Sequence, residues 1–139
     1  MTASELQQEV VDILNGVDAL LQGGCKAFAE NARTVYDESQ KHVTNGCTAL
    51  VVVTPEMNRN GCDARGIPAD TELQVQCSEK PALLRAQGRE ARLTALDAAD
   101  VVMRALDGAR FSWVSTRQTL DRERGILTSI VTFNTSVIL

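Results

Sequence analysis

The sequence predicts an α+β domain, with a small mixed or antiparallel sheet of about four strands and two main helices packed on one face. Three observations predict it. An amphipathic helical pattern opens the chain, a second and stronger one lies past its middle, and short apolar or alternating runs of strand length fill the rest. No internal repeat appears and no linker divides the chain, so residues 1–139 read as one domain.

Residues 3–21 carry the first helical pattern. Leu6, Val10, Ile13, Leu14 and Val17 recur at the spacing of one helical face. Thr2 and Glu5 have the spacing of a capping box, with Ser4 as an alternative cap, and Gly23-Gly24 ends the segment. Residues 25–43 fit either a helix, with Ala27, Phe28, Ala32, Val35 and Tyr36 on its face, or an irregular strand ending near Tyr36. Asn45-Gly46 is a turn signal. It precedes Thr48–Thr54, a β-branched apolar run stopped by Pro55 that reads as a strand buried on both faces. Turn-forming residues between Glu56 and Asp70 predict a loop, and Asp37–Gly46 reads as a second irregular segment. Thr71–Cys77 alternates, with Leu73, Val75 and Cys77 on one face and Glu72, Gln74 and Gln76 on the other, as in a half-buried strand.

Residues 82–107 carry the second helix. Its apolar stripe is Leu93, Leu96, Ala99, Met103 and Leu106, beside a polar stripe of Asp97, Asp100, Arg104 and Asp107. Gly108 occupies the place of a C-terminal glycine cap, and Gly88 marks a weak point near the start. Phe111, Trp113 and Val114 predict a short strand, and Asp121–Gly125 a charged turn. Ile126–Phe133 reads as the closing strand, with Ile130, Val131 and Phe133 as core candidates.

Composition excludes several function classes. With 44% hydrophobic and 23% charged residues, the chain has the balance of a globular protein. No apolar run approaches the about 20 residues of a membrane-spanning helix, and no secretory pattern opens the chain. A net charge of −4 does not suit a protein that grips nucleic acid by charge, and the few aromatics do not interleave with the arginines. These features fit a soluble intracellular domain. Cys25, Cys47, Cys62 and Cys77 form no C-x-x-C pair, and His42 is the only histidine, so a two-cysteine, two-histidine zinc site is ruled out. Cys47 and Cys77 read as small buried apolar residues beside strands.

Reaction chemistry is sparse. There is no nucleophile elbow and no phosphate-binding loop. His42 falls in a polar stretch and reads as a solvated loop residue without an orienting partner. Asp97 and Asp100 share a helix face that could hold a metal, but a solvated face neutralised by Arg104 explains them better. Cys62 lies near Arg59 and Arg65, which could depress its thiol pKa. A small ligand-binding domain or enzyme with a site around Cys62, Asp63 and Arg65 is therefore the alternative function. Charge distribution says more than net charge. Residues 1–79 hold five Lys/Arg against twelve Asp/Glu, whereas residues 80–139 hold nine against six. An acidic half and a basic half suit head-to-tail association of copies.

In element order and local motifs the chain resembles the small tail-terminator or tail-completion proteins of tailed bacteriophages. The resembling pieces are the opening helix Ser4–Leu20, the strand TALVVVTPEMNR, the alternating ELQVQC, the helix LTALDAADVVMRALDG and the closing FSWVSTRQTLDRERGILTSIVTFNTSVI. Together they cover nearly the whole chain, and the resemblance favours a strand over Phe28–Tyr36. It implies a structural virion protein without enzymatic activity or cofactor. Such a protein forms a ring, usually a hexamer, at the head-proximal end of the tail tube and bridges the tube to the head-to-tail connector of the neck. Genomic DNA passes through the lumen without sequence-specific contact, and no membrane is involved. The implied location is the virion tail or neck, and the host cytoplasm during assembly. No binding residue carries over from the family. Arginine is enriched at interfaces, which makes Arg59 and Arg65, in the predicted loop, the candidate interaction residues. Four cysteines depart from the family pattern.

Overall fold

The computed structural model describes residues 1–30, 35–61, 66–84, 91–108 and 110–139. In chain order the elements are α1 (Ala3–Asn15), α2 (Asp18–Gln22), β1 (Lys26–Ala29), α3 (Val35–Thr44), β2 (Ala49–Val52) and β3 (Glu56–Arg59). They continue as β4 (Pro68–Glu79), α4 (Pro81–Leu84), α5 (Ala95–Leu106), β5 (Ser112–Asp121) and β6 (Ile126–Ile138). The architecture is α+β, as expected, with a mixed sheet of six strands rather than about four. The strand order is β1-β2-β4-β6-β5, and β3 pairs with the N-terminal part of β4 in line with β2. Only the β1–β2 pair is parallel.

The two long strands β4 and β6 form the spine. Their register puts Leu73 opposite Phe133 and Val75 opposite Val131. These side chains share one face, where they pack with Leu6, Val10 and Leu14 of α1 and Ala98, Ala99 and Val102 of α5. Each fully buried Leu, Val or Phe of this core stabilises the fold by about 1.5–3 kcal/mol. A third helix, α3, lies on the opposite face over β1 and β2, where Val43 joins Phe28 and Ala49 in a second apolar cluster. β2 is therefore covered on both sides, as its unbroken apolar run predicts.

The expected capping box forms: Glu5 N–H donates to Thr2 Oγ1 at 3.1 Å and Thr2 N–H to Glu5 Oε2 at 3.3 Å. The first helix is nonetheless shorter than the predicted span 3–21, because the chain leaves the helix at Gly16-Val17 and restarts as α2. Its buried face is rotated too. Gln7 and Val11 are buried while Ile13 is exposed, since the Gln7 side chain donates a 2.7 Å hydrogen bond to the Val52 carbonyl. Gly23 meets the end of this region at close quarters: a Cβ there would stand 2.5 Å from Leu93 Cγ.

Five further expectations need correction. The strand expected up to Tyr36 stops at Ala29, and Val35–Thr44 is helix, with Asp37 and Glu38 in its first turn and Lys41 and His42 in its last, as the helix dipole favours. The Glu56–Asp70 loop contains β3 and the start of β4 instead; Pro68 takes the first position of its strand, which a proline tolerates. The helix predicted over 82–107 is α4 and α5, with Gly88 outside the described residues. Thr94 caps α5, and the helix lies so close to the sheet that Ala95, Ala98, Ala99 and Val102 make the contact while Leu96 faces solvent. At its C-terminus Asp107, in extended conformation, is the cap, and Gly108 does not take the left-handed role expected of it.

Candidate functional site

The last two strands are both longer than predicted and form a hairpin at the rim of the sheet. Asp121 starts its turn by accepting a 3.2 Å hydrogen bond from Arg124 N–H, and Gly125 closes it with a φ of 65°. Phe111, just before β5, is buried edge-to-face against Phe133. Arg110 beside it pairs with Glu9 of α1, and the Arg110 carbonyl accepts from Thr135 Oγ1 at 2.6 Å. The base of the hairpin is thus anchored to the core.

Beyond that base every residue of β5 is exposed. A bulge at Val114 shifts the register, so that Trp113 and Thr116 share a face and the Trp113 indole N–H donates to Thr116 Oγ1 at 3.0 Å. Trp113, Val114 and Leu120 are 44%, 50% and 55% exposed, three large apolar side chains on one edge strand. Arg117 stands mid-strand, and Arg122 and Arg124 occupy the turn. Arg124 pairs with Asp121 at 3.8 Å, whereas Arg117 and Arg122 have no ion pair among the described residues. β5 pairs only with β6, so its outer row of backbone N–H and C=O groups faces away from the sheet.

The opposite rim is built differently. β1 has four residues, and the Asn15 side chain seals its outer side: Ala27 N–H donates to Asn15 Oδ1 at 2.9 Å, and Asn15 Nδ2 donates to the Ala27 carbonyl at 3.2 Å. The amide imitates the pairing of a neighbouring strand. Asp12 and Asp18 lie three residues to either side of Asn15, both exposed, with Ile13 and Leu21 as exposed apolar neighbours in sequence. Arg59 ends β3, exposed, next to this side of the sheet. Arg65 lies outside the described residues, as do Cys62 and Asp63, and with them the alternative site.

His42 is not a solvated loop residue. It sits in α3, half-buried, with Nε2 at 2.7 Å from the Gly24 carbonyl and its ring edge-to-face with Phe28. Burial lowers its pKa, the Gly24 hydrogen bond partly offsets this, and Lys26 and Arg92 lower it further. Cys77 is buried in β4 as expected, while Cys47 is only half-buried. Cys25, which the sequence did not single out, is buried as well; burial, with Cys47 nearby, pushes its thiol up to about 12. Such thiols are poor nucleophiles and poor metal ligands at neutral pH. Among the described residues no group of three or more His, Cys, Asp or Glu side chains is placed to hold a metal ion. Among the described residues an open polar groove of about 800 Å³ lies over Asp70, Glu72 and Asn134, and it lacks the apolar lining of a ligand pocket.

The fold, by contrast, has a solved counterpart. The chain resembles a component of a virion. In the solved structure described as the virion of a native gene transfer agent particle, one chain matches with a TM-score of 0.62 at 15% identity. The match covers 96% of this chain and 95% of that one. No family model matches the sequence, and no curated protein matches it.

Proposed function

We propose that this chain is a structural virion protein that works by self-association: a ring-forming tail terminator or tail-completion protein, joining the tail tube to the head-to-tail connector. The observation that carries the reading is the end-to-end correspondence with a chain of the gene transfer agent virion, in which neither chain has a substantial part left over. A fold shared over 96% of this chain and 95% of the other supports a shared kind of task more than a match over a part would. The bare rim at β5 supports it from another direction, because a ring subunit needs surface that is finished only by its neighbour.

In this reading the protein has no reaction centre. Its partners are further copies of itself, most simply six in a ring, the tail tube protein on one side and the connector of the neck on the other. DNA passes through the lumen without base-specific contact. Arg59 is a contact residue toward a neighbour, and Arg65 a second one. The protein would reside in the tail or neck of the virion after assembly in the host cytoplasm. Electron microscopy and native mass spectrometry of the purified chain, alone and mixed with the tail tube protein, test the proposal. A closed symmetric ring is expected in at least one condition. A monomer in both would overturn it.

A further inference from the structure

The strand order carries β1 and β2 of the acidic half of the sequence to one side of the sheet and β6 and β5 of the basic half to the other, with Glu9 and Arg110 pairing between the halves. β5 and its turn bring Arg117, Arg122 and Arg124 to one rim, together with Asp121, which pairs with Arg124, and Glu123. The α1–α2 corner brings Asp12 and Asp18 to the other, where Asn15 ties that corner to β1. Each rim also exposes large apolar side chains, Trp113, Val114 and Leu120 at the first and Ile13 and Leu21 at the second. Neither Asp12 nor Asp18 has a cation partner among the described residues. Unlike surfaces on opposite sides of one subunit generate a repeating contact that closes into a ring when the rotation permits.

We propose, resting on the ring reading above, that copies of this chain join head to tail, the β5 rim of one copy seating against the α1–α2 corner of the next. Arg117 and Arg122 meet Asp12 and Asp18, with Trp113 and Leu120 against Ile13 and Leu21. Pairing of β5 with its own copy is the competing arrangement. It is disfavoured because Arg117 lies near the middle of the strand Ser112–Asp121, so a two-fold pairing would bring two arginines together. The receiving rim cannot supply β1 as an added strand at Ala27, since Asn15 already occupies that position. The joint is therefore made chiefly by side chains, and its strength should fall with salt.

Charge reversal tests this in the full chain by native mass spectrometry and size-exclusion chromatography. One variant carries Arg117→Glu and Arg122→Glu; the other carries Asp12→Lys and Asp18→Lys. All four positions are exposed, so circular dichroism and urea midpoints should match the wild type. Each variant alone is expected to associate at least about tenfold more weakly, because like charges now face each other. An equimolar mixture should recover assembly as an alternating ring, a result that misfolding cannot produce. If the wild type assembles and both variants assemble equally well, the joint lies elsewhere and the inference fails while the ring reading stands. If only the arginine variant is impaired, β5 meets itself or another protein, and the α1–α2 corner is not its partner. If the wild type forms no oligomer, alone or with the tail tube protein, the ring reading itself fails.

Discussion

The two rims of the sheet solve the same problem in opposite ways. At β1 the chain spends an asparagine side chain to satisfy both backbone groups of Ala27, keeps the strand to four residues, and covers it with α1 on one face and α3 on the other. At β5 it leaves a ten-residue strand with every side chain exposed and no strand on its outer side, where the Asp107 side chain accepts from Trp113 N–H at 3.0 Å at the start of the strand. An unprotected strand of that length ordinarily invites aggregation. The difference teaches that exposure of the sheet edge is local: one rim is covered within the chain, and the other is open along most of its length.

The comparison is broken most directly by the same substitution at both rims. Leu50 in β2 is fully buried beside the sealed rim, and Leu50→Ala should cost about 2–5 kcal/mol in urea unfolding. Leu120→Ala, on the bare rim, should change stability by no more than about 0.5 kcal/mol. Equal losses would mean that β5 is packed within the subunit and is not a free surface. Next in size, Asn15→Ala strips both partners from Ala27 and should cost about 1–2 kcal/mol. Exchange of the Ala27 amide hydrogen, slow in the wild type, should accelerate in Asn15→Ala; unchanged exchange would show that the seal is not what protects it.

A third measurement follows the bare rim through assembly. Trp113 is the only tryptophan, and it sits on β5 with 44% of its surface exposed. In the subunit its fluorescence should be red-shifted and readily quenched by iodide or acrylamide. Assembly should shift it to the blue and reduce quenching about twofold or more, as the burial of an interface aromatic implies. An unchanged spectrum in a fully assembled ring would place β5 outside the joint.

How much of this was legible in the sequence depended on whether one residue's neighbours were local. The capping box at Thr2 and Glu5, the doubly buried run at Leu50 and the alternating strand at Leu73 and Val75 are set by nearby residues, and each formed as read. β3 was missed because its four residues are a strand only by pairing with β4, across a segment full of turn formers. The α5 face was misplaced because alanines, weak in any hydrophobicity pattern, make the contact that lets a helix lie close to a sheet. The candidate site was half visible. The separation of charge between the halves could be counted, but that β1 and β5 form opposite rims follows from the strand order, which no local pattern contains. The seal by Asn15 gave no signal at all, because it bridges a helix end and a strand twelve residues away.

The smallest effect distinguishes the rims by pH. His42 lies beside the sealed rim, its pKa lowered by burial, partly restored by the Gly24 hydrogen bond and lowered further by Lys26 and Arg92. A histidine whose folded-state pKa lies below its ordinary value of 6.5 gives up stability as the solution is acidified. The unfolded chain takes up the proton first. The contribution is therefore complete above pH 6.5 and declines as pH falls from there through the folded-state pKa. One proton limits the slope to about 1.4 kcal/mol per pH unit, and the half-exposed ring keeps the effect well under that ceiling. In His42→Gln, whose side-chain amide can still donate toward the Gly24 carbonyl, urea midpoints between pH 7.5 and 5.5 should lose this slope. Association through β5 should not change with it, since His42 sits at the other side of the sheet. If the wild type and His42→Gln decline in parallel, the pH dependence arises elsewhere, and burial does not lower the His42 pKa.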